Sequence, residues 1–84
     1  MRFAQECEAL VRYVPSGDAH LDQKWLVLEG SVAGCPEVTK RRTISTAALV
    51  DGSVTLEGEK AHLLADVREY YRRWQAVREN LENL

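Results

Sequence analysis

From Leu63 to Leu84 the apolar positions fall at Leu63, Val67, Tyr70, Trp74, Val77, Leu81 and Leu84. Steps of four and three alternate along this stretch, the spacing that holds side chains on one face of an α-helix. Tyr71 and Arg78 flank the seam and widen it beyond a bare coiled-coil stripe. The pattern therefore predicts a long C-terminal amphipathic helix that packs on a sheet. Asp66 followed by Glu69 has capping-box spacing and sets the predicted start at Asp66, with Glu59 as the alternative.

Upstream, Phe3, Cys7, Leu10, Val11 and Val14 recur at helical spacing among the helix formers Ala4, Gln5, Glu6, Glu8 and Ala9. They predict a short helix over Arg2 to Val14, ended by the turn Pro15, Ser16, Gly17 and Asp18. A strand over Ala9 to Val14 is the rival reading, supported by Val11 and Tyr13. Ala19 to Gln23 reads as a polar loop.

Lys24 to Ala33 alternates as a strand does, with Leu26, Leu28, Gly30 and Val32 as the core face and Trp25, Val27, Glu29 and Ser31 opposite. Gly34, Cys35, Pro36 and Glu37 break the pattern, and Thr39 to Arg42 carry the chain onward as a hairpin connection. Thr43 to Val50 predicts a second strand. Asp51-Gly52 is a hairpin signal that returns a third strand from Ser53, interrupted at Gly58. The expected fold class is α+β: an N-terminal helix, a three-stranded antiparallel meander, and the long C-terminal helix laid on the sheet.

At 84 residues the chain fits one domain, 1–84, near the size at which a single core suffices. The formal net charge of -2 speaks against a protein held to nucleic acid by bulk charge. No apolar run reaches the length of a membrane span, and Arg2, Glu6 and Glu8 interrupt the first segment, so the expected compartment is the cytoplasm, with no membrane association. Cys7 and Cys35 form no CxxC pair. They read as reduced, buried hydrophobes, with a Cys7 to Cys35 bridge as the alternative.

No phosphate-binding, dinucleotide, zincin or nucleophile-elbow motif occurs in the chain. His20, His62, Cys7 and Cys35 have none of the short spacings of zinc modules, and the expectation is a protein that is not an enzyme and has no metal or cofactor. Lys40, Arg41 and Arg42, placed at the hairpin connection, and Arg72, Arg73 and Arg78, on the outer helix, are the candidate partner-binding residues. Brought together, such side chains make a basic patch for an acidic protein surface or for phosphates. Base stacking would draw on Trp25, Tyr71 or Tyr13. A helix of this length outruns a short sheet, which predicts an exposed apolar strip of Val77, Leu81 and Leu84 for a partner or for a second copy in a homodimer.

The central segments Trp25-Leu-Val-Leu-Glu-Gly-Ser-Val-Ala-Gly-Cys-Pro, Arg41-Arg-Thr-Ile-Ser-Thr and Val54-Thr-Leu-Glu-Gly resemble short accessory proteins of phages and prophages. Those proteins share a strand ending near Gly-x-Pro, a basic turn, a Thr/Ser-rich strand, a Val-x-Thr-like return with glycine, and a C-terminal helix. Here Lys60, Ala61 and His62 stand where an aromatic would follow the glycine. Many such proteins bind a host protein, including components of CRISPR and other defence systems. The resemblance implies a binding protein that sterically inhibits a host protein complex. A small nucleic-acid-binding regulator is the second reading and a self-assembling dimer subunit the third.

Overall fold

The computed structural model describes residues 8–82. Its elements are, in order, β1 (Ala9–Tyr13), α1 (Ala19–Lys24), β2 (Trp25–Val32), β3 (Cys35–Ser45), α2 (Thr46–Val50) and α3 (Leu56–Glu82). The three strands form one antiparallel sheet of order β1-β2-β3, and α3 packs across it. The protein is α+β, a meander with a long C-terminal helix.

The alternation expected for β2 holds: Leu28, Gly30 and Val32 are buried under α3, whereas Glu29 and Ser31 point to the other side. The core gathers Leu28, Val32, Cys35, Val38 and Ile44 of the sheet with Leu63 and Val67 of the helix. Tyr70, Tyr71 and Trp74 extend it. Gly30 is required where α3 lies close on the sheet, because a Cβ there would stand 2.6 Å from Val67 Cγ2 and 3.0 Å from Leu63 Cγ. Past Ser31 the register slips: Ser31 faces Thr39, yet Val32 faces Cys35. The extra residues bulge out of β3, Thr39 Oγ1 donates to the Pro36 carbonyl, and both Cys35 and Val38 turn into the core.

Several expectations are corrected, first in the N-terminal half. Ala9–Tyr13 is a strand, not part of a helix over Arg2 to Val14, because it pairs with β2 from Ala9↔Val32 to Tyr13↔Leu28, and that ladder outweighs local helix propensity. The remainder of that predicted helix, residues 2–7, lies outside the described residues. The short helix of this half is α1, where a polar loop was expected; Asp18 caps it, its Oδ1 accepting from the His20 and Leu21 N–H groups.

The second correction concerns Asp51-Gly52, which ends a helix instead of turning a hairpin. Thr46–Val50 forms α2, Gly52 takes φ 83°, and the Val54 N–H reaches back to the Ala48 carbonyl, the pattern of a glycine-capped helix end. Third, no strand returns from Ser53; β1 fills the third place in the sheet. Finally, α3 begins at Leu56, ten residues before Asp66. Its first turn is capped by Thr55, whose Oγ1 accepts from the Gly58 N–H at 3.0 Å.

Candidate functional site

The basic run Lys40-Arg41-Arg42 does not form a turn. It lies in the middle of β3, so strand alternation sends its members to opposite faces. Lys40 and Arg42 face α3, and Arg41 faces the far side of the sheet. The hairpin needs only Ala33 and Gly34 between Val32 and Cys35, which shifts the run from the expected connection into the strand.

Each of these cations has a partner. Arg42 Nε donates to Glu59 Oε2, an ion pair joining β3 to the first turns of α3, and Glu59 is only 8% exposed. The Glu59 carboxylate is the chief reason that the Arg42 guanidinium is held even more firmly protonated than usual. Lys40 Nζ sits 5.8 Å from the centre of the Tyr70 ring. Arg72 and Arg73 both reach Glu69, at 3.3 Å each. Lys40, Asp66, Glu69, Tyr70 and Arg73 line a shallow groove of about 330 Å³ between helix and strand. The structure therefore brings Lys40 and Arg73 together, with two carboxylates between them. Arg41 is on the other face, and the set does not form one continuous basic patch.

Farther along α3 the side chains stack. The Tyr71 and Trp74 rings lie 6.1 Å apart, nearly parallel at 18°, and the Arg78 guanidinium lies 5.2 Å over Trp74. This stack closes the core at the hairpin end. Beyond it Val77 is 59% exposed and Leu81 65% exposed, and Leu84 lies outside the described residues. Seam positions that are buried at Leu63 and Val67 thus run out into solvent along the same helix.

The face of the sheet turned away from α3 carries residues that the site expectation did not include. Glu29, at the centre of β2, accepts from Arg12 Nε and Arg41 Nε, at 3.0 Å each. Arg41, and then Arg12, hold its carboxyl below the usual carboxylate range. Trp25 lies on the same face at the end of β2, and Leu10 lies on it in β1. The period-two pattern of β2 marks Trp25 and Glu29 as sharing this face, but Arg12 joins them only once β1 is a strand.

His20 and His62 are exposed, and Cys35 is buried. Burial, with Glu37 nearby, pushes the Cys35 thiol up and keeps it protonated. Cys7 lies outside the described residues. Among those residues no group of three or more His, Cys, Asp or Glu is arranged to hold a metal ion, and no helix is long and apolar enough to cross a membrane. Comparison with protein-family models, with curated proteins and with solved structures gives no significant match.

Proposed function

We propose that this chain is a non-enzymatic interaction protein that works by occupying a surface of a protein partner. The observation that carries the reading is the exposed apolar end of α3. A helix of 27 residues is about 40 Å long, whereas its last side chain packed on the core is Trp74. Val77 and Leu81 continue the seam at the three-and-four spacing by which an amphipathic helix seats in a groove. Arg78, stacked on Trp74, and the paired Arg72 and Arg73 border the strip, and charged rims of this kind govern orientation and association rate more than affinity.

The mechanism is steric: the seated helix denies the partner its own contact. The specific form that the sequence resemblance supports is a phage- or prophage-encoded inhibitor of a host complex, acting in the bacterial cytoplasm on a defence assembly such as a CRISPR effector.

The test is affinity capture from bacterial lysate, with and without nuclease, using the tagged chain and a Val77→Glu/Leu81→Glu variant. The expected result is a protein complex that survives nuclease, is held by the native chain and is lost from the variant at unchanged melting temperature. Equal capture by both, or capture that disappears with nuclease, would overturn the reading. Light scattering at two concentrations separates the remaining outcome, in which the strip meets a second copy.

A further inference from the structure

The outer face of the sheet holds a row of charge that crosses all three strands, from Arg12 on β1 through Glu29 on β2 to Arg41 on β3. One carboxylate serves two guanidinium groups, Arg12 at Oε1 and Arg41 at Oε2, so the row keeps one positive charge in excess. Glu29 is largely covered, whereas the arginine side chains remain 65% and 61% exposed. A guanidinium carries five N–H donors in a fixed fork, more than this shared carboxylate engages. The hydrogen bonds to Glu29 therefore position both forks while leaving donors for an incoming anion.

Apolar surface adjoins the row. Trp25 is 47% exposed and Leu10 60% exposed, with the half-buried Val27 between Trp25 and Glu29 along β2. An exposed Trp on the same face as two oriented Arg has the composition of interface hot spots.

We propose that this face is a docking surface for an acidic protein segment, whose carboxylates take the free N–H groups of Arg12 and Arg41 while its apolar side chains cover Trp25 and Leu10. The aliphatic surround selects this occupant over a nucleic-acid strand, which would meet Leu10 and Val27 where successive bases need aromatic platforms. A second copy would set one positive row against another. The surface is separate from the end of α3, so it stands or falls independently of the role proposed for Val77 and Leu81.

The experiment is a titration of the full chain with a blocked oligoglutamate peptide, and separately with an oligothymidylate of equal charge. It is followed by NMR at the Trp25 indole N–H and the Arg12 and Arg41 Nε–H groups. Oligoglutamate is expected to shift these signals, and Arg41→Gln to weaken its binding by about tenfold or more, since hydrogen bonds between charged groups contribute at that level. Thr43→Glu adds a carboxylate to the same face without removing a bond to Glu29, and is expected to abolish binding with the fold intact. The Val77→Glu/Leu81→Glu variant is expected to bind as the native chain does. Shifts confined to the groove of Lys40 and Arg73, no response at this face, or a stronger response to oligothymidylate would each overturn the proposal.

Discussion

Gly30 lies directly beneath Val67: a Cβ built on the glycine would stand 2.6 Å from Val67 Cγ2, inside any normal contact distance. Since Val67 is fully buried, the helix has no space to move the methyl group aside without shifting its own backbone. Gly30→Ala is expected to destabilise the fold by about 1–3 kcal/mol, the usual cost of overpacking. Val67→Ala removes the opposing methyl, so the double variant should lose less stability than the two single losses combined, with a coupling of about 0.5–3 kcal/mol. Urea unfolding of the four proteins measures it, and strict additivity would show that the helix does not rest on Gly30.

The ion pair of Arg42 and Glu59 gives an asymmetric prediction. Removing Arg42 leaves the buried Glu59 carboxylate without its partner, and Arg42→Ala is expected to cost about 1–3 kcal/mol, below the full buried-pair range because the arginine is partly exposed. Arg42→Ala/Glu59→Gln should recover much of that loss, because no unpaired charge then remains. A double variant less stable than Arg42→Ala would show that Glu59 is tolerated without the arginine.

Glu29 links the outer face to pH. Its carboxyl is held low in the folded chain by Arg41 and Arg12, so in the acid range the unfolded chain binds more protons at this site than the folded one. The stabilisation is fully present above the ordinary carboxylate value and is lost as pH falls through the depressed one. The melting temperature of the native chain should therefore exceed that of Glu29→Gln near neutrality, and the gap should narrow as the solution is acidified. A gap that stays constant would separate Glu29 from the arginines.

Several of these relationships were legible in the sequence and others were not. The inward face of β2 and the seam from Leu63 to Trp74 followed from periodicity alone, because burial on one side imposes it. β1 did not, since Ala9 to Tyr13 belongs to a sheet only through its ladder to β2, and no local pattern contains a partner. Asp51-Gly52 misled for a related reason: a glycine of positive φ serves a hairpin and a helix end equally well, and the residues before it decide between them. The site suffered most from one displaced boundary. Moving Lys40 to Arg42 from a turn into a strand divides them between two faces, and it creates the pairs with Tyr70, Glu29 and Glu59 that a loop would not have.

The start of α3 gives the last test. The sequence offers Asp66 and Glu69 as a capping box, but Asp66 lies in the helix interior, where its backbone N–H needs no side-chain acceptor. Thr55 holds the capping role, and Gly58 stays bare because a Cβ would meet Thr55 Oγ1 at 2.9 Å. Thr55→Ala is thus expected to cost about 1 kcal/mol, the loss of an N-cap bond. The exposed Asp66, replaced by the better helix former alanine, should change stability by no more than about 0.5 kcal/mol. Gly58→Ala should fail to give the gain of about 1 kcal/mol that alanine usually brings to a helix, because it displaces the cap. Thermal unfolding of the three variants decides the matter: if the helix began at Asp66, the costs at Thr55 and Asp66 would be reversed.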